Sequence, residues 1–176
     1  IEPDSRLAQI CREQGFDIVE KWVEEMREGE VDADFAAAFE VLEHVFDLRA
    51  FLEACVRLLK PGGVFLFTTL TISGFDLQAL WSHSRSISPP QHLNFLSIKG
   101  AEILIERCGL EVIEISTPGQ LDVDIVRNML TANPDLDTSR FVRAVALASD
   151  QTRRDFQTFL QEHRMSSHLR GIVRKP

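Results

Sequence analysis

The sequence predicts an α/β domain built on a mostly parallel sheet, and three observations carry that prediction. Short apolar runs of strand length alternate with longer stretches whose apolar residues recur every three or four positions. Turn-forming residues at Gly15, Lys60-Pro61-Gly62-Gly63, Gly109 and Pro118-Gly119 separate the two kinds of segment. The chain of 176 residues, 44% hydrophobic and 26% charged, suits one domain with one core. That length and apolar content exclude a disulfide-stapled miniprotein and a disordered tail.

Element by element, Ile1 reads as the last residue of a strand, and Asp4 or Ser5 caps a helix to about Gln14 that stops at Gly15. Phe16–Val23 reads as a strand with imperfect alternation. Phe35–Phe39 has the composition of a strand buried on both faces. Asp47 caps a helix over Leu48–Leu59, whose stripe is Phe51, Leu52, Cys55, Leu58 and Leu59. Lys60–Gly63 stops it, and Val64–Thr69 is the clearest strand in the chain. Gly74–Trp81 predicts a short helix, and Ser82–Phe95 a loop stiffened by Pro89-Pro90. Ser97 caps a helix to Cys108, and Leu110–Ser116 alternates as a strand. Helices are expected near Val123–Leu130, Ser139–Ala148 and Gln151–His163, and Leu169–Lys175 as a final strand. In parallel sheets ligands bind beyond the carboxyl ends of the strands. Residues just after Ile1, Val23, Phe39 and Thr69 therefore fall on the functional edge.

The net charge is -8, from 19 basic and 27 acidic residues. Such a surface repels phosphate backbones and disfavours nucleic acid as a partner. No apolar run approaches a membrane span. Cys11, Cys55 and Cys108 are widely spaced and read as reduced thiols of a cytoplasmic protein.

Four motifs bear on chemistry. In Ile1-Glu2-Pro3-Asp4, a carboxylate ending a strand can accept hydrogen bonds from both hydroxyls of a ribose, or simply favour the helix dipole. In Phe39-Glu40-Val41-Leu42-Glu43-His44, a helix starting near Glu40 puts Glu40, Glu43 and His44 on one face. Two carboxylates and an imidazole can hold a hard divalent cation, supply a general base, or form an ordinary solvated turn. Lys60-Pro-Gly-Gly63 is a mechanical turn. In Pro89-Pro-Gln-His-Leu-Asn-Phe95, His92 is a candidate ligand, base or substrate contact, and Arg85 a contact for an anion.

In this order the landmarks Phe39–Val45, Leu59–Gly63 and Pro89–Phe95 resemble class I S-adenosylmethionine-dependent methyltransferases, over nearly everything up to Asp124. The resemblance implies a Rossmann-like sheet of seven strands with an antiparallel last strand, here Leu169–Lys175. It implies that Glu2 grips the cofactor ribose, that Trp22 and Val23 flank the adenine and that Phe39 lies under the cofactor. Ubiquinone-pathway and small-RNA 2′-O-methyltransferases carry an E-x-x-E-H metal cluster. Glu40, Glu43 and His44 fit it, with His92 as the later histidine and a cation such as Mg²⁺ as the metal. The family's first strand and glycine-rich loop would precede Ile1, so a longer natural protein is expected, by roughly 40 to 60 residues.

The reading reached from sequence is methyl transfer, O-methylation being favoured, to a small-molecule or glycan acceptor. His44 is the first choice of base, His92 the second, and Glu43 shares the catalytic cluster. Residues 123–163 form a helical insertion, either a lid packed through Phe141, Val142, Val145, Phe156, Phe159 and Leu160 or a stabilising or dimerising pair. A non-catalytic interaction module of the same fold and a nicotinamide-dependent oxidoreductase are the alternatives.

Overall fold

A computed structural model describes all 176 residues. Helix α1 (Ser5–Glu13) starts at Asp4, whose carboxylate accepts from the amides of Arg6 and Leu7, both at 2.9 Å. Strand β1 (Ala33–Phe39) is followed by α2 (Leu48–Arg57), capped by Asp47. Then come β2 (Leu59–Leu70), α3 (Phe75–Leu80), α4 (Ile98–Arg107, capped by Ser97) and β3 (Glu111–Ser116). Helices α5 (Asp122–Ala132), α6 (Arg140–Ala146) and α7 (Asp150–Glu162) lead to β4 (His168–Arg174).

The sheet order is β1-β2-β4-β3. β1 and β2 are parallel, and β4 is antiparallel to both its neighbours. Three strands therefore run one way and the last against them. The carboxyl ends of β1, β2 and β3 and the beginning of β4 share one rim. Four strands, rather than seven, are built from this chain.

Strand periodicity decides which residues form the core. Phe65 and Phe67 of β2, Ile115 of β3, and Leu169 and Val173 of β4 pack against Leu48, Phe51, Leu52 and Cys55 of α2 and against Ala101 and Ile105 of α4. Gly171 pairs with Phe67 across the sheet, and a Cβ there would overlap the Phe67 ring, so only glycine admits the aromatic. Burial pushes the Cys55 thiol up to about 12, and the Cys108 thiol also upward, which makes both poor nucleophiles. All three cysteines are free. No helix is long and apolar enough to cross a membrane.

Four expectations are corrected. Phe16–Val23 is not a strand: it is irregular chain ending in a 3-10 turn at Val23–Glu25, and Val19 O accepts one long-range bond, from Glu2 N at 3.0 Å. Strand propensity without a partner ladder leaves the backbone unpaired. Ile1 lies outside the sheet for the same reason. Phe35–Phe39 is an edge strand and not doubly buried: Phe35 is 58% and Phe39 60% exposed. Lys60–Gly63 does not end a separate turn before β2. It bulges inside the strand, because β1 advances from Ala33 to Phe35 while β2 advances from Leu59 to Val64. Gly62 takes φ +79° there and donates to Lys175 O at 2.9 Å.

Helices α5–α7 pack on α3, with Leu80, Val126, Leu130 and Ala146 as a small second core. Of the expected packing face, Leu160 is fully buried, Val142 packs against this core, and Val145 and Phe156 are half-buried. Phe141 and Phe159 are 63% and 44% exposed, and they stand around Phe156, which meets Phe75 edge-on at 5.1 Å between centroids. Val126 and Leu130 of α5 are buried as deeply as Leu160 of α7.

A polar knot ties these helices to the rim. The Asp122 carboxylate accepts from Ser166 Oγ at 2.6 Å, Ser167 N at 2.7 Å and Gln157 Nε2 at 2.7 Å. Asp76 is equally buried, and its Oδ1 has no hydrogen-bond partner. Burial first, then the charge of Asp122, pushes the Asp76 carboxyl up from 3.8 to about 6. The neutral form is the one the fold accepts. The cost of ionising Asp76 is thus absent below the unfolded pKa, grows as pH rises, and is complete above about 6. Asp76→Asn is expected to stabilise the protein above pH 6 by up to about 3 kcal/mol and to have little effect near pH 4. Urea unfolding at pH 4 and pH 7.5 measures the difference, and an equal effect at both values would refute it.

Candidate active site

Phe39 closes β1, and the chain then turns sharply. Glu40 takes φ +52°, and Val41–Val45 form a turn rather than the expected start of a helix. The helix begins only at Leu48, where Asp47 supplies the cap. Glu40, Glu43 and His44 therefore do not share a helical face. The sheet separates the two carboxylates, because Thr68 and Thr69 at the end of β2 face opposite ways. Glu40 Oε1 accepts from Thr68 Oγ1 at 2.7 Å, and Glu43 Oε2 accepts from Thr69 Oγ1 at 2.9 Å.

The loop after Pro89-Pro90 docks on this turn. Glu43 O accepts from Leu93 N at 2.7 Å and from Asn94 N at 3.2 Å. Asn94 Nδ2 donates to Val45 O at 2.6 Å and reaches Leu42 O at 3.4 Å. Two motifs about fifty positions apart in the chain thus form one unit. The docking brings His92 to His44, with ring centroids 4.8 Å apart.

Ligand atoms of Glu43, His44 and His92 all lie within 4.8 Å of one another. His44 Nδ1 lies 2.9 Å from Gln91 O, and His92 Nδ1 lies 2.6 Å from Ser86 O. A carbonyl oxygen only accepts, so both Nδ1 atoms carry hydrogen and both Nε2 atoms are left for a ligand. Glu43 is 1% exposed, and its side chain has a single hydrogen bond within the chain. A buried carboxylate so poorly supplied with donors favours a cation beside it. Octahedral ligands at 2.0–2.1 Å lie roughly 3 to 4 Å apart, so the three groups fit a hard divalent ion after a small contraction. Glu40 stands outside this group, its Oε1 3.3 Å from His168 Nδ1.

Beside the trio runs a cleft of about 1150 Å³ along the open edge of β1. Glu2, Trp22, Val23, Phe39 and His44 line it, among mainly apolar side chains. Glu2 is held by its own turn, its Oε1 accepting from Asp4 N at 2.9 Å. Trp22 is 62% exposed, an apolar surface that a bound ring would cover. The cleft lining includes no residue of the 123–163 insertion. Arg85 is exposed and makes no ion pair.

Sequence reasoning missed the roles of Thr68, Thr69, Asn94 and His168. The signal for the threonines was visible: two hydroxyls ending the strongest strand sit at the rim. His168 had no signal, because its partner lies 128 positions away (168 − 40).

A sequence profile of a methyltransferase-domain family matches residues 4–115. The chain is 35% identical over 85 residues to the mitochondrial ubiquinone biosynthesis O-methyltransferase of Homo sapiens, covering 45% of this chain and 23% of that protein. It is 30% identical over 115 residues to the ubiquinone biosynthesis O-methyltransferase of Rhodopseudomonas palustris, covering 55% of this chain and 44% of that one. The chain thus spans less than half the length of these relatives. A SAM-dependent methyltransferase of Thermotoga maritima shares the fold, with a TM-score of 0.62 at 15% identity over 99% of this chain and 71% of that one.

Asn94→Ala removes the clamp on the turn that carries Glu43 and His44. It is expected to destabilise the protein by about 1–2 kcal/mol and to weaken binding of Mn²⁺ at least tenfold. Urea unfolding and calorimetric titration of Mn²⁺ measure the two effects, and unaltered Mn²⁺ affinity in a folded variant would count against the trio as a cation site.

Proposed function

Since the chain belongs to the class I S-adenosylmethionine-dependent methyltransferases, we propose that the protein carrying it transfers the methyl group of S-adenosylmethionine to a hydroxyl oxygen of a small acceptor. The observation that carries this reading is the Glu43–His44–His92 trio at the sheet rim, next to a cleft lined by Glu2 and Phe39. Its matched relatives are named for O-methylation in ubiquinone biosynthesis, which favours a phenolic small molecule over a glycan.

Methyl transfer from a sulfonium is an in-line displacement, so most of the protein's contribution is positioning. Glu2 accepts hydrogen bonds from the ribose hydroxyls, and a carboxylate acceptor makes them short and strong. Trp22 and Val23 flank the adenine. Phe39 lies beneath the cofactor and gives up water contact when covered. Glu43, His44 and His92 would hold a divalent cation, which would supply Lewis acidity to an acceptor hydroxyl. The carbonyls of Gln91 and Ser86 fix the two imidazoles in the tautomer that presents Nε2. The buried Glu43 cannot swing into water while Thr69 and the docked loop hold it.

Calorimetry of S-adenosylmethionine binding to the protein that carries this domain tests the cofactor assignment. Glu2→Ala is expected to weaken affinity about tenfold or more, and an unchanged affinity would remove Glu2 from the ribose. Exhaustive chelation is expected to abolish methyl transfer, with recovery on adding Mg²⁺. Activity that survives chelation would remove the cation.

A further inference from the structure

Phe46 is the most exposed large apolar side chain of the chain, at 94%, and none of the roles assigned to the site uses it. We propose that Phe46 is a specificity-determining residue, whose ring stacks on an aromatic ring of the acceptor while the acceptor hydroxyl meets Glu43, His44 and His92. The assignment rests on the methyltransferase reading above and names the acceptor class for that site.

Position is the first observation. Phe46 follows His44 by two residues, so their Cα atoms stand at most about 7 Å apart. Phe46, Val45 and His44 line the same cleft as Glu2, Trp22 and Phe39. The groups assigned to the cofactor and the edge of the trio therefore share one continuous space, and Phe46 belongs to its His44 end. Of the other exposed aromatic side chains in the cleft, Trp22 and Phe39 are assigned to the cofactor. Phe35 lies four residues back along β1 (39 − 35), away from the rim. Phe46 is left for the acceptor.

The second observation is how the backbone presents the ring. Val45 packs against the main core, and its carbonyl accepts from Asn94 Nδ2 at 2.6 Å. Asp47 caps α2: its Oδ1 accepts from Ala50 N at 3.0 Å and its carbonyl from Phe51 N at 3.0 Å. Both neighbours of Phe46 are pinned inward while its own side chain stays out. The Asn94 clamp that holds the turn bearing Glu43 and His44 thus holds Phe46 as well. Ring and ligand atoms form one preorganised unit, so little ordering remains to be done when an acceptor arrives.

The chemistry of the pair selects the acceptor. A phenolic oxygen held at the trio carries its own flat, rigid ring directly beside it. Two such rings pack offset or edge-on with centroids about 4.5–7 Å apart, and both lose water contact. Phenylalanine has no hydrogen-bonding group, so it offers nothing to the further hydroxyls of a glycan, which would give up water beside it without a partner. Phe46 therefore favours a phenol or catechol over a saturated polyol.

The test uses the natural protein that carries this domain, saturated with S-adenosylhomocysteine and Mg²⁺, in calorimetric titrations with catechol and with cis-cyclohexane-1,2-diol. Phe46→Leu keeps apolar bulk and removes the flat ring. It is expected to weaken catechol at least about fivefold and the saturated diol less than about twofold. Affinity for S-adenosylmethionine is expected to stay within about twofold, and Phe46→Tyr to keep catechol affinity within the same margin. The urea midpoint of Phe46→Leu is expected to match that of the unaltered protein, because the side chain is exposed. Unaltered catechol affinity in Phe46→Leu, or equal weakening of the two probes, overturns the proposal. A loss confined to S-adenosylmethionine overturns it by moving the ring to the cofactor, and a lowered urea midpoint overturns it by showing the ring packed within the natural protein. An unaltered protein that fails to bind S-adenosylmethionine instead overturns the methyltransferase reading, and the role of Phe46 with it.

Discussion

The peptide carbonyl of Glu43 accepts two amides from a loop some fifty residues downstream, and the rest of the rim depends on that contact. The Val41–Val45 turn has no regular structure to hold it. Its Leu42, Glu43 and Val45 carbonyls accept from Leu93 N, Asn94 N and the Asn94 side chain. An unpaired backbone carbonyl at such depth would be costly, so docking and turn stabilise each other. The geometry of His44 and His92 follows, since each imidazole is anchored by a carbonyl of the docked loop.

The sheet imposes a second constraint. Successive residues of a strand face opposite sides, so Thr68 and Thr69 send Glu40 and Glu43 to different environments. One carboxylate is buried with two imidazoles and suits a cation. The other is half exposed, with Thr68 and one imidazole as neighbours. Two acidic residues three positions apart thereby acquire different chemistry from one backbone period and one residue with positive φ.

Asp122 is one of the groups that join the helices before the last strand to the rim. Its carboxylate gathers donors from β4's approach and from α7. Asp76, at the start of α3, is crowded against the same charge. Two buried carboxyls this close are tolerated when one is neutral, which couples the attachment of these helices to pH.

Much of the fold was legible in the residues themselves. The caps at Asp4, Asp47 and Ser97, the stops at Gly15 and Gly109, and the strands at Val64–Thr69 and Leu110–Ser116 are local consequences of side-chain chemistry and periodicity. The reading of Phe16–Val23 as a strand and of Phe35–Phe39 as doubly buried went astray because pairing and burial depend on neighbours far away in sequence. The motifs Phe39–Val45 and Pro89–Phe95 marked the site, but not its arrangement. Composition and spacing determined the fold class, and the resemblance of the landmark motifs to class I methyltransferases pointed to the family and to Glu43, His44 and His92 as candidates. Only the tertiary structure decided that Glu40 leaves that trio and that His168 joins Glu40. Register and a left-handed backbone angle make that choice, and neither is written in the local pattern of residues.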